Sequence, residues 1–229
     1  MTNPATGNPV FDAIRTRQSI RAFTDRPVSR AEIEKLLEVA RWAPSGSNIQ
    51  PWKVHVLTGD ARTRMVDAVM AAFEADPDCS DREYEYYPTD WFEPYIGRRR
   101  ACGWGLYNAV GVERGDREGM KRQRARNYAF FDAPVAMMFT IEKRLNTGSW
   151  MDLGMFLQSI MVAARGIGLD TCAQAAFADY HVAIREQLGI PDTEIVVCGM
   201  GIGYRVADAP ENVWRTDREE VGAFTAWHE

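Results

Sequence analysis

The chain has 229 residues, 46% hydrophobic and 26% charged, which is enough for one large domain or two small ones around a sizeable core. A net charge of −5 argues against nucleic acid as a bulk partner, because phosphate binding needs a basic face. No apolar run nears the roughly 20 residues of a membrane span; the start, MTNPATGNPVFDAI, lacks the form of a secretory signal; four scattered cysteines without a CxxC pair fit reduced thiols of a cytoplasmic protein; and His55, His181 and His228 lack ligand spacing, so no metal is expected.

Residues 9–17 predict a short helix with Val10, Phe11 and Ile14 on one side. RQSIRAF and a turn at Asp25–Pro27 follow. Ser29 and Glu32 fit a capping box, and Ile33, Leu36, Leu37 and Ala40 then repeat at helical spacing up to Pro44. Residues 52–58 read as a strand, and Asp60 as the cap of a helix to about Ala75. Residues 76–115 form an aromatic-rich excursion without strand pattern, with one helix from near Glu93 and another over about 116–130. Residues 134–142 read as a buried strand, 149–165 as a buried helix closed by Gly166 or Gly168, and 179–188 as a helix stopped by Gly189. Residues 194–204, EIVVCGMGIGY, are a strand that turns glycine-rich. With no repeat or linker, residues 1–229 read as a single α+β domain, helices covering a small sheet.

Two stretches invite chemistry. Residues two apart on an extended segment face one way, so Arg17, Ser19 and Arg21 would present two guanidiniums and a hydroxyl together, a cradle suited to phosphate. PSGSNIQPW, 44–52, sets hydroxyls and amides between two prolines, which suits a planar heterocycle carrying donors and acceptors. A plain basic turn and a plain helix-to-strand loop are the structural alternatives. GMGIGY lacks the helix that a dinucleotide fingerprint requires, since VADAPENVW follows it; its glycines more readily serve close approach of backbone or ligand. No Ser-His-Asp or Cys-His arrangement stands out.

Taken in order and spacing, RQSIRAF, APSGSNIQPWKVHVLTG, FFDAPVAMMFT, MDLGMFLQSIMVAARGIGLDTC, LGIP, GMGIGY and RTDREEV resemble the FMN-dependent nitroreductase family over nearly the whole chain. The aromatic excursion and TCAQAAFADYH look closest to its nitrobenzene- and nitrobenzoate-reducing branch. The resemblance implies a mostly antiparallel sheet wrapped by helices, in an intertwined homodimer with two FMN sites at the interface. It implies a C-terminal strand exchanged onto the partner, burying Val221, Phe224 and Trp227. By position, Arg17, Gln18 and Ser19, completed by Arg218 or Arg215, should hold the FMN phosphate. Arg21 should lie near the flavin pyrimidine. Pro44, Ser45, Gly46, Asn48 and Gln50 should line the ring from the other subunit, and Gln174 with the N–H of Ala175 should approach N5. Flavin N5, not a side chain, would carry hydride from NADH or NADPH to a nitroaromatic, giving nitroso and then hydroxylamino products by ping-pong turnover. Tyr87, Trp91, Phe92, Tyr95 and Trp104 would wall the substrate pocket, and Arg98, Arg99 and Arg100 could draw in a carboxylated substrate. The same cradle would also serve an enone, halogenated aromatic or free-flavin reductase, or a non-catalytic flavin-binding protein.

Overall fold

The computed structural model describes residues 6–229; the first five residues of the N-terminal stretch lie outside the described residues. Helix α1 (Pro9–Thr16) is capped by Asn8, whose side chain accepts from the N–H groups of Val10 and Phe11. Helix α2 (Arg30–Ala40) carries the expected capping box: Ser29 and Glu32 each accept from the other's backbone N–H. Strand β1 (Lys53–Thr58) leads into α3 (Gly59–Ala75), and here the cap is Thr58, with Asp60 inside the first turn rather than before it. Then come α4 (Tyr95–Ala109), α5 (Arg117–Ala125), β2 (Val135–Glu142), α6 (Thr147–Gly166), β3 (Asp170–Gln174), α7 (His181–Leu188), β4 (Glu194–Gly203) and α8 (Pro210–Val213).

The four strands form one sheet in the order β1-β2-β4-β3, every pair antiparallel. Alternation along β2 supplies two cores, one on each face. Ala136 and Met138 join Met65, Val69 and Phe73 of α3 and Ile184 of α7. Met137, Phe139 and Ile141 join Ile33 and Leu36 of α2 and Leu153, Phe156 and Ile160 of α6. Helices therefore cover both faces, as the composition of long helices and few buried strands implied.

Three boundaries differ from the sequence reading. The helix expected over 116–130 stops at Ala125, because Phe130, Phe131 and Asp132 all take the left-handed conformation (φ 54°, 52° and 69°). That turn lets the carbonyl of Phe131 accept the N–H of Phe23 at 3.2 Å. A 3-10 turn over Ala175–Tyr180 takes the first residues of the helix expected from Asp179. VADAPENVW does contain one helical turn, α8, held by the buried side chain of Asn212.

The glycines of GMGIGY serve packing. Gly199, Gly201 and Gly203 share one face of β4. A Cβ there would stand 2.5 Å from the Phe177 ring, 2.8 Å from the carbonyl oxygen of Phe130 and 2.6 Å from Pro134 Cδ. Gly199→Ala should lower stability by about 1–3 kcal/mol, since Phe177 is fully buried and has no room to retreat. An unchanged thermal melt would contradict this.

The base of the aromatic excursion is pinned to the body. Tyr84 donates its hydroxyl to the carbonyl of Val197 at 2.6 Å and packs edge-on against Trp150. Buried Glu83 accepts from Arg185 Nη2 at 2.6 Å and lies 3.0 Å from His181 Nδ1 and 3.4 Å from Lys143 Nζ. Burial alone would raise the Glu83 carboxyl, but Arg185, His181 and Lys143 outweigh it and hold it below its ordinary 4.5. A carboxylate depressed in the folded state contributes stability above its unfolded pKa and loses it as pH falls through the folded value. Glu83→Gln should therefore melt below the wild type at pH 7, and the gap should close as pH drops under about 4.5. A gap independent of pH would refute this role.

Candidate functional site

Segment 17–21 runs extended beside β3, with the N–H of Ile20 donating to the carbonyl of Thr171 at 3.0 Å and Ser19 bridging Thr171 in parallel. The alternation read from the sequence holds in space: Arg17, Ser19 and Arg21 all bear on the buried thiol of Cys172. Burial pushes that thiol up, and the two guanidiniums and the Ser19 hydroxyl act against the rise. Gln18 faces the other way. Its side-chain amide donates to the carbonyl of Asn212, and its oxygen accepts from Arg215 Nε at 2.6 Å. Gln18 thus braces Arg215, one of the arginines that act on Arg17.

Asn212 fixes the segment from α8. Its Oδ1 accepts the N–H of Arg21 at 2.8 Å, and its Nδ2 donates to the carbonyls of Ala22 and Val206, both at 2.8 Å. Arg126 adds a bond of 2.9 Å to the carbonyl of Arg21 while pairing with Glu211. Sequence reasoning missed Asn212 and Arg126, because no local pattern links positions more than a hundred residues apart.

Arg17, Arg215 and Arg218 form a cluster of like charge. The Arg17 guanidinium is held below its ordinary value by burial and then by Arg218, with Arg215 adding to the effect and Cys172 opposing it. Arg215 is lowered by burial and by Arg205, Arg218 and Arg165. Arg165 and Arg205 share the one carboxylate of buried Asp170, whereas Arg17 has no ion pair among the described residues. Partly desolvated guanidiniums facing one another without a counter-charge suit a dianionic phosphate. Further along β3, about 7 Å from Cys172 at strand rise, Gln174 ends the strand and Ala175 follows it. Gln174 is buried and donates to the carbonyl of Asn127 at 2.6 Å, and its Oε1 has no hydrogen-bond partner. The N–H of Ala175 opens a 3-10 turn and so has no partner within it. A charged end and a polar far end in line fit an elongated, phosphate-tailed ligand such as FMN.

The proline-bounded loop is a second, separate half. Pro44 and Ser45 lead into a 3-10 turn over Gly46–Asn48, and Ser47, Asn48 and Gln50 are left-handed (φ 50°, 57° and 51°). Such backbones cost on the order of 1–3 kcal/mol each and persist where other contacts impose them. Two such contacts are the Gly46 N–H on Asp152 Oδ1 at 3.1 Å and the Gln50 N–H on Ser45 Oγ at 3.0 Å. The side chains of Ser47, Asn48 and Gln50 stay exposed.

Helix α6 measures the gap between the halves. Asp152 anchors the loop, and thirteen positions on, Arg165 reaches Thr16 Oγ1 at 3.5 Å beside Arg17. That is about 20 Å along the helix, so within one copy the loop and the arginines stand well apart. The same copy leaves apolar side chains bare on three neighbouring helices: Phe11 and Ile14 of α1, Met151 and Met155 of α6, and Val39 of α2 with Trp42 just beyond it. Helix α6 is therefore buried on one side, through Leu153, Phe156, Ile160 and Ala164. The tail forms no strand within one copy; Val221, Phe224 and Trp227 are 60%, 71% and 82% exposed.

Over the excursion, Tyr87 and Trp91 tilt together at 5.3 Å with Arg99 above both, and Phe92 meets Tyr95 edge-on at 5.1 Å. Trp104 belongs to another group, with Tyr107 and Arg114. Of the three arginines, Arg98 pairs with Glu219 at 2.9 Å and Arg99 is stacked, which leaves Arg100. None of the described helices is long and apolar enough to cross a membrane.

A family model described as "Nitroreductase family" matches residues 14–204. A nitrobenzene nitroreductase of Ectopseudomonas oleovorans is 40% identical over 218 residues, covering 95% of this chain and 96% of the relative. A 4-nitrobenzoate reductase of Nocardioides sp. (strain LMS-CY) is 40% identical over 92% of this chain and 87% of its own. Among solved structures, the FMN and NADPH-dependent nitroreductase NfnB from sphigopyxis sp. strain HMH superimposes with a TM-score of 0.93 at 36% identity, covering 96% of this chain and 99% of that one.

Proposed function

The chain belongs to the nitroreductase family, and from that premise we propose that it is an FMN-dependent oxidoreductase that reduces nitroaromatic compounds with NADPH or NADH. Each site draws on two copies of the chain. The observation that carries the reading is the unpaired arginine cluster about 20 Å along α6 from the loop expected to meet the same cofactor. A neighbouring copy would bring a second such loop to the site, and the apolar faces of α1, α2 and α6 supply a seam for it. The tail then reaches over the partner, where Val221, Phe224 and Trp227 leave water.

In this arrangement Arg17 and Arg218 hold the phosphate, with Arg215 braced beside them and Ser19 donating from below. Arg21 places a fixed cation near the ring system, favouring an electron-rich state of it. The partner's loop contributes Ser45, Asn48 and Gln50 along the other edge, while Gln174 and the Ala175 N–H close the β3 end. FMN, when bound, supplies the two-electron hydride chemistry that the side chains lack. Tyr87, Trp91, Phe92 and Tyr95 offer flat apolar surface for a stacked aromatic and shut out water. The relatives named for nitrobenzene and 4-nitrobenzoate set the substrate class.

Anaerobic NADPH or NADH should bleach the yellow protein within seconds, and nitrobenzene or 4-nitrobenzoate should restore the colour. A flavin that stays oxidised would make this a binding protein; one reoxidised only by an enone, a halogenated aromatic or free flavin would move the substrate. Shared sites add a complementation test. Arg17→Ala copies mixed in equal amounts with Asn48→Gly/Gln50→Gly copies should recover about a quarter of the wild-type flavin, because about half of the dimers are mixed and each of these holds one intact site of two. Glycine keeps the left-handed backbone of the loop. No recovery would place both halves in one chain.

A further inference from the structure

The stretch from Pro210 to Glu219 touches the cofactor half and the aromatic excursion at once. On one side Asn212 holds the backbone of Arg21 and Ala22, and Arg215 reaches Gln18 and the carbonyl of Thr16. On the other side α4 lies on Trp214. A Cβ at Gly105 would stand 2.5 Å from Trp214 Cζ2 and 2.8 Å from its Nε1, so α4 keeps this seat only because residue 105 has no side chain. Arg98, one face of the same helix, pairs with Glu219 at 2.9 Å. No residue of α4 is buried. The hold of α4 on this stretch is therefore a large share of what fixes its place.

Trp214 has polyproline-II backbone (φ −65°, ψ 138°), so its side chain and that of Arg215 leave the chain about 120° apart. A shift of the indole must move the next residue, and Arg215 stands in the like-charged cluster with Arg17 and Arg218. We propose that Trp214, seated on Gly105, is a positioning residue that makes docking of α4 and phosphate binding by the arginine cluster one coupled equilibrium. The proposal rests on the cofactor reading above. Coupling of this kind is reciprocal: a ligand that steadies α4 tightens the cofactor, and the cofactor steadies α4 by the same factor. Loss of the indole would loosen both without touching any atom of the cofactor.

Two readouts independent of turnover test this in the full-length protein: the FMN dissociation constant from flavin fluorescence, and the rate of tryptic cleavage at Arg98–Arg100 with and without FMN. In the wild type, FMN should slow cleavage roughly fivefold or more, as it suppresses local opening of α4. Gly105→Ala should raise the FMN dissociation constant about tenfold and abolish the protection. Adding Trp214→Leu to Gly105→Ala removes the atoms that the new methyl meets and should restore part of both, a non-additive pair. Should Gly105→Ala fail to fold, Trp214→Leu alone carries the test, with weaker FMN binding and lost protection expected. Wild-type FMN affinity in these variants, or cleavage of wild-type α4 unaffected by bound FMN, would overturn the coupling. A wild-type protein that takes up no FMN would overturn the cofactor reading itself, and the two failures are told apart by the first titration.

Discussion

Arg17→Ala should purify colourless, yet its apoprotein should melt no lower than the wild-type apoprotein. The two halves of this result have opposite signs for one reason. Arg17 is partly desolvated, faces Arg218 and Arg215, and has no ion pair among the described residues, so its charge is disfavoured in the folded chain until an anion arrives. Removing it relieves that repulsion and costs the apoprotein nothing. With phosphate bound, the same change deletes a charge-assisted contact in a partly dry site, a loss of about 3 kcal/mol, or roughly a hundredfold in Kd. Fluorescence titration with FMN and a melt of the flavin-free protein check both parts. Retained yellow colour after dialysis would remove Arg17 from the cradle. A sharp fall in the apoprotein melting temperature would instead make it an ordinary structural cation.

Met155→Asp should convert the protein to a monomer and strip it of flavin in the same step. Met155 lies on the outward side of α6, beside Met151 and next to the bare apolar side chains of α1 and α2. A seam along that face would enclose one unpaired carboxylate per copy, each costing on the order of 3–5 kcal/mol. The two-fold repeat doubles the effect, enough to weaken association roughly a thousandfold or more. Flavin should leave with the partner if, as proposed, the partner's loop completes the site. Light scattering and flavin absorbance, read on the same sample, decide the matter. A flavin-loaded monomer would show that one copy suffices, and an intact dimer would show that the seam lies elsewhere.

Much of the fold could be read locally. The capping box at Ser29 and Glu32, the alternation of Arg17, Ser19 and Arg21, and the buried strand over 135–142 all depend on neighbours within a few residues, and the structure has them. What could not be read depends on distant partners. Arg126 leaves its helix to meet Glu211 and the carbonyl of Arg21, and the left-handed run from Phe130 serves Phe23; neither is visible in the periodicity of 116–130. Gln18 belongs to the RQSIRAF pattern yet turns toward Arg215, almost two hundred residues away. The apolar periodicity of α6 picks out Leu153, Phe156, Ile160 and Ala164, which are buried, but gives no sign of what covers exposed Met151 and Met155.

Helix α6 also acts as a gauge. Its thirteen positions between Asp152 and Arg165 set how far the proline-bounded loop sits from the arginines of its own chain and, in the dimer proposed above, how far it would project to reach those of the next. Inserting one residue there would rotate one end against the other by about 100° and lengthen the span by about 1.5 Å, and the two-fold repeat would impose the error at both sites. Insertions in the irregular excursion before α4 carry no such penalty. The chain can thus vary its length freely in the excursion while the spacing along α6 stays fixed by the helix.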